Sequence, residues 1–306
     1  MSLRRLLERR RVLAPALLAP VMLYIVAFIG FPFAMSFVYS LSNVTVGSPH
    51  FKLVGLQNYI AVIHDQAFQK SLANTCIITF VTIVLVMVFG HILAELLRQP
   101  LRFKWIIRFL ILLPWTAPIA LGTIGFLWLF DSLYSPADWV LRRLGLLGHP
   151  GALLGATSDM YWLGRPHLAL ASVIIVQTWR LLPLAAVILL AGLNSVPKEL
   201  VEAARVDGAK YFRRLFHVVL PLLFPVIGVT VLFGVFLTFT DMTVVWILTK
   251  GGPPPNSSQM LASLAFLVGI EGGDLAQGAA IALFFFPVLA GVAAVVLQLV
   301  KKATVT

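Results

Sequence analysis

Six apolar runs, each at least 22 residues long, set the limits on what this chain can fold into. They fall at about residues 12–41, 72–94, 106–130, 168–193, 222–248 and 277–300. At about 1.5 Å rise per residue, each is long enough to cross a hydrocarbon layer roughly 30 Å thick. Inside such a layer no water satisfies a bare N–H or C=O, so long apolar runs must close their hydrogen bonds within themselves, as helices. The expectation is an all-α membrane protein with six spans in a single transmembrane domain, residues 1–306. Composition agrees: 60% of residues are hydrophobic and only 11% charged, where a soluble domain carries about 25% charged residues.

The basic residues are unevenly shared. The N-terminus, residues 95–109, residues 194–217 and the C-terminus hold 5, 4, 5 and 2 Lys or Arg, 16 in all. The alternate loops, 42–71, 131–167 and 249–276, hold 6, and Arg180 is left over inside the fourth run. Positively charged loops stay in the cytoplasm, so both termini are expected there, which an even number of spans allows. The net charge of +11 then serves orientation. A lipid bilayer is the partner it implies, not nucleic acid.

Arg4, Arg5, Arg9, Arg10 and Arg11 precede the first run, which is too long for a secretory signal and reads as a retained span. Pro15, Pro20 and Pro32 are expected to bend or start it, and Pro114 and Pro118 to kink the third. Residues 42–71 read as a loop, with a breaker at Gly47-Ser48-Pro49 and a turn at Gly55–Tyr59. Residues 131–167 form a longer connection with an amphipathic piece near Trp139–Leu147, and Gly251-Gly252-Pro253-Pro254-Pro255 is another loop. Cys76, the single cysteine, permits no disulfide and is expected to pack as a small residue. The sequence has no HExxH, GxSxG or Walker A pattern, and its six histidines are scattered. No catalytic residue, metal site or cofactor is expected in this chain.

The second half contains one long segment that is both charged and helix-periodic, Pro197–Pro221. Pro197 suits a helix start, Lys198–Val206 are acceptable helix formers, and Gly208 offers a left-handed stop. Lys210, Arg213, Arg214 and His217 form one stripe and Phe212, Leu215, Phe216 and Val219 another, on roughly opposite faces. That pattern predicts a helix lying at the membrane surface, closed by Pro221. Periodicity alone also fits a plain cytoplasmic loop.

Glu202-Ala203-Ala204, then Gly208, then Leu220-Pro221 resembles the EAA signature of permease subunits of bacterial ABC importers. The likeness extends through Trp179-Arg180, Ala191-Gly192-Leu193, Ser195, Pro197, Glu199-Leu200 and Asp207-Gly208-Ala209. It includes Leu248-Thr249-Lys250-Gly251-Gly252-Pro253, similar to the family's Leu-Thr-Gly-Gly-Gly-Pro loop, with Lys250 standing where the family carries glycine. Asp274–Ala280, Phe31-Pro32…Ser40 and Gly55…Asn58-Tyr59 also fit. The chain thus resembles the carbohydrate-uptake permeases, of the type similar to the maltose F and glycerol-phosphate A subunits. The resemblance implies the type I importer permease fold in a bacterial or archaeal cytoplasmic membrane. It also implies a second homologous permease as a heterodimer partner, two ATP-binding subunits that hold ATP and Mg, and an extracytoplasmic sugar-binding protein. Glu202, Ala203, Ala204, Asp207, Gly208, Leu220 and Pro221 would form the coupling helix and its exit, docked on the ATPase.

The substrate path is read from chemistry at membrane depth. Arg180 and Asp241 are ionisable residues within spans, costly there unless they face protein or water. An offset of about six residues, roughly 9 Å along the axis, allows an ion pair lining a cavity, or leaves Asp241 hydrated nearer the outer surface. Asn74, Thr75, Gln177, Trp179, Phe239, Thr240, Asp241, Thr243 and Trp246 supply the aromatic and polar groups a sugar needs. Aromatic residues also serve as interface anchors, and Asn74 and Thr75 equally suit a cap on the second helix. An ion-gradient-driven secondary transporter is the competing function, with Asp241 as its mid-span carboxylate.

Overall fold

The computed structural model describes residues 10–48, 50–100 and 102–305. Arg4, Arg5, Arg9 and Pro49 lie outside the described residues. Among those residues the chain is helical, with one isolated bridge, Ser42 to Leu53. Five helices are long and apolar enough to cross a membrane: Leu17–Ser40, Gln66–Arg98, Pro166–Ser195, Tyr211–Phe239 and Leu275–Lys302. A sixth candidate is the pair Lys104–Thr116 and Ile119–Leu129, bent by 94° at its break.

The prolines act in two ways. In the third span Pro114 sits inside a regular helix, whereas Ala117 and Pro118 are extended and the chain turns there. The pyrrolidine of Pro118 disfavours helical geometry in the residue before it, which accounts for the site of the break. In the first and fifth spans the helix instead widens ahead of the proline. Phe31 N–H bonds back five residues to Val26 O before Pro32, and Leu220 N–H bonds to Leu215 O before Pro221. A π-turn relaxes the ladder where proline lacks a donor and its ring crowds the preceding turn. Pro221 therefore does not close the segment: Tyr211–Phe239 runs through it as one span. The predicted surface helix at Lys210–Val219 is the foot of that span, which starts eleven residues before the expected position.

At its far end the fifth span stops at Phe239, not at residue 248. Thr240–Met242 interrupt it, and a short helix, Thr243–Leu248, follows. The second span is longer than expected, with Asp65 accepting Ala67 N–H at its start. Two stretches expected as loop are helical, Gln57–His64 and Leu261–Glu271. Cys76 is exposed, against the expectation of a packing residue. It shares its face with exposed Ile77 and Phe80.

The chain divides into two compact units, residues 1–64 with 265–283, and residues 65–264 with 284–306. In the first, Asn58 Nδ2 donates to Ser40 O and Ser42 O, and Val46 N–H bonds Gly273 O. In the second, the second and fourth spans pack along their length. A Cβ on Gly90 would stand 3.2 Å from Ala185 Cβ and 3.6 Å from Ala186 N. Small residues at that crossing let the backbones meet, the usual basis of helix association where lipid removes the hydrophobic drive. Ile78, Val173, Val176, Val244, Val245 and Met260 form a buried cluster near one end of this unit. Ala94, Leu189, Leu193, Val196, Val219 and Leu223 form another beneath the segment that follows the fourth span. The connection before the fourth span is fixed by buried Asp138, in the helix Pro136–Arg143. Its carboxylate accepts Met160 N–H at 3.0 Å and Trp162 Nε1–H at 2.8 Å.

Candidate functional site

The segment after the fourth span folds as a nine-residue helix, Lys198–Val206, entered from Pro197. Val201 packs against the buried cluster beneath it, holding one face down. The opposite face is bare: Glu202 and Ala203 are exposed, Leu200 is 46% exposed and Val206 87%. Isolated helices of this length are marginal in water, so the ends matter. The exit is a Schellman motif. Gly208 N–H bonds Arg205 O at 3.0 Å and Ala209 N–H bonds Ala204 O at 2.9 Å, with Gly208 at φ +77°. That conformation costs little for glycine and is poorly populated by L-residues. Asp207, also exposed, closes the last turn through its N–H to Ala203 O. Arg214 Nη1 donates to Ala209 O at 2.9 Å, tying the elbow formed by residues 197–209 to the foot of the fifth span. Leu220 and Pro221 lie roughly a dozen residues on from Gly208, just after the π-turn inside that span.

The ionisable pair at membrane depth is joined. Arg180 Nη1 stands 3.6 Å from Asp241 Oδ2, their side chains 20% and 8% exposed. Gln177, one turn earlier and fully buried, donates from Nε2 to the same oxygen. Asp241 Oδ1 accepts Thr243 N–H at 3.0 Å and so starts the short helix Thr243–Leu248. The break in the fifth span places Asp241 there: in an unbroken helix it would be one rung among others, whereas here its carboxylate is aimed at the fourth span. Gln177 Oε1 and Arg180 Nη1 are buried without a hydrogen-bond partner among the described residues. Gln177 Oε1 is thus an unspent acceptor, which a hydroxyl group can satisfy, and Arg180 Nη1 is engaged by the ion pair alone.

The other path candidates divide. Trp179 faces the third span, its ring edge-on to Phe126 at 5.0 Å, near Gly122. Phe239 is buried edge-on to Phe285 at 5.7 Å. Thr240 Oγ1 donates back to Phe236 O, and Trp246 is half-buried in the short helix. Asn74 is a clamp and not a cap: Nδ2 donates to Asn256 O, Ser257 O and Gln259 O. Thr75 Oγ1 donates to Ser71 O and accepts Leu261 N–H. These two residues pin the loop after the fifth span, and no local pattern in the sequence signals contacts across some 180 residues. In that loop Lys250 adopts φ +48°, a left-handed position at the residue where the resembled family carries glycine.

Comparison with known proteins places the chain. Residues 86–302 match the family described as the binding-protein-dependent transport system inner membrane component. The sulfoquinovosyl glycerol transport system permease protein SmoG of Agrobacterium fabrum is 33% identical over 295 residues, covering 95% of this chain and 91% of that protein. The trehalose/maltose transport system permease protein MalF of Thermococcus litoralis is 29% identical, covering 92% and 91%. Among solved structures, a bacterial ABC transporter involved in import of the acidic polysaccharide alginate matches with a TM-score of 0.75 at 16% identity. That match covers 96% of both chains and shows the shared fold. The chain belongs to the binding-protein-dependent transport system inner membrane components: it is a multi-pass permease subunit, a transport component and not an enzyme.

Proposed function

We propose that this chain is the membrane-spanning subunit of an ATP-driven ABC importer for a sugar, a di- or oligosaccharide or a related glycerol-phosphate compound, delivered by an extracytoplasmic binding protein. The observation that carries the reading is an exposed, Schellman-closed helix between two spans, in a chain whose full-length relatives are sugar-transport permeases. A related alginate transporter was solved with a pentasaccharide-bound periplasmic protein, which supports the same kind of partner here. Both termini and the elbow face the cytoplasm of a bacterial or archaeal inner membrane. A second homologous permease completes a heterodimer, and two ATPase subunits hold ATP and Mg.

In this reading Glu202 and the exposed Leu200 and Val206 dock on the ATPase, and Ala203 and Ala204 let the helices approach closely. Closure of the ATPase dimer moves Lys198–Val206, and the fifth span carries the motion to the Arg180–Asp241–Gln177 cluster, which lines the sugar passage. Family membership leaves the secondary-transporter alternative without support. The test is sugar uptake by the assembled importer in proteoliposomes. Uptake should require ATP, survive collapse of the ion gradient, and be lost in Glu202→Lys while the subunit still inserts. Uptake that tracks the ion gradient, or wild-type uptake by Glu202→Lys, would refute the reading.

A further inference from the structure

Two adjoining cavities at the foot of the fifth span differ sharply in chemistry. One, about 410 Å³, lies between the end of the second span, the elbow helix and the start of the fifth span. Arg98, Arg205 and Arg214 line it with Tyr211, against a single carboxylate, Glu95. The nearest Glu95–Arg98 approach is 3.9 Å, and no ion pair holds Arg205 or Arg214 among the described residues. Three arginines lining one cavity with one acidic group favour an anion presenting several oxygens, because a guanidinium offers a planar fork of donors, although one Nη of Arg214 is already given to Ala209 O. The second cavity, about 500 Å³, lies among Val88, His91, Ile92, Phe212, Phe216 and Leu220. His91 apart, its walls are apolar, and Phe212 and Phe216 are 70% and 59% exposed.

Tyr211 and Leu215 line both cavities. A ligand spanning both across those two residues needs a negative head and an aliphatic tail. We propose that this is a binding site for one anionic glycerophospholipid, with the phosphate among Arg98, Arg205 and Arg214 and an acyl chain in the groove. The assignment rests on the cytoplasmic placement of the elbow proposed above, which draws the lipid from the inner leaflet. Charge complementarity selects the head, and the shared wall selects a lipid over a free anion. Because Arg205 belongs to the elbow helix and Arg98 to the second span, the bound head braces the elbow against the bundle. Lipid composition would then set how stiffly the elbow is held.

The experiment counts lipids retained by the assembled importer in native mass spectrometry. Detergent-stripped complex is titrated with phosphatidylglycerol or with phosphatidylcholine of the same chains. Phosphatidylglycerol should be retained preferentially, and Arg98→Gln with Arg205→Gln should weaken it on the order of thirtyfold, at about fivefold per arginine near a membrane surface. Ile92→Trp, which fills the groove and leaves the arginines intact, should also reduce retention. It serves as the readout if the arginine variant fails to assemble. Equal retention of the two lipids, insensitivity to either variant, or displacement of the lipid by inorganic phosphate alone would overturn the site. Retention is read without transport, so an assembly lacking ATPase subunits would sink the importer reading and still report on the lipid.

Discussion

Gly208→Ala isolates the backbone contribution of the elbow. Nothing lies within 4 Å of the position a Cβ would occupy, so the substitution meets no steric obstacle. The cost is therefore conformational. Holding an L-residue at φ +77° costs about 1–2 kcal/mol, and the loss of unfolded-chain freedom on replacing glycine returns about 0.4–1 kcal/mol. A net loss of about 1 kcal/mol corresponds to roughly a fivefold rise in local opening. It should fall on two amides, Gly208 N–H to Arg205 O and Ala209 N–H to Ala204 O. Hydrogen exchange of the assembled importer in nanodiscs reads this directly, as faster exchange across residues 198–209 with the spans unchanged. ATP-driven uptake should fall while ATP hydrolysis persists. Gly208→Asn, which tolerates the left-handed region, should sit nearer wild type than alanine does. Alanine exchanging at the wild-type rate, or asparagine opening the elbow more than alanine, would refute the argument.

Lys250→Gly relieves a φ of +48° that costs about 1–2 kcal/mol, against about 0.4–1 kcal/mol for the freer unfolded chain, so thermal stability should rise by no more than about 1 kcal/mol; a lowered melting temperature would contradict this. Removing one member of the Arg180–Asp241 pair (3.6 Å, mostly buried) should destabilise by about 3 kcal/mol. The exchanged double variant, Arg180→Asp with Asp241→Arg, should recover part of the lost uptake, and no recovery would count against the pairing. His149, outside the spans, has its pKa raised because its ring bonds Pro150 O at 3.1 Å and Gly145 O at 2.8 Å. A raised folded-state value means the loop's stabilisation is fully present below histidine's ordinary pKa and is lost as pH rises through the folded pKa. Exchange protection of residues 145–155 should therefore fall as pH increases, and His149→Ala should abolish that dependence.

What could be read from the sequence followed from local chemistry. The fourth span and the helix Lys198–Val206 announce themselves through apolar length, Pro197 and Gly208, and Pro118 marks the break in the third. The errors have physical reasons. Pro221 looked like a stop because regular helix geometry cannot take it, and the π-turn at Leu215–Val219 removes that objection. Phe239 as an end was invisible because Thr243–Leu248 continues the apolar run past the break. Asn74 equally suited a helix cap, and its partners at Asn256, Ser257 and Gln259 are contacts only the fold creates. Arg180 and Asp241 were visible as costly charges. Their meeting, with Gln177 as the third member, depends on where the fifth span breaks.

The widened turn ahead of Pro221 has a mechanical consequence. Had the proline severed the helix there, the elbow and the deep carboxylate would hang on separate segments, and motion of one would dissipate in the joint. Instead Tyr211–Phe239 is 29 residues without interruption, a strut of about 43 Å at helical rise. Its foot is tied by Arg214 to the elbow, and Asp241 sits two residues beyond its tip. A shove delivered at one end of such a strut arrives at the other as displacement, with the whole lipid thickness crossed by a single lever.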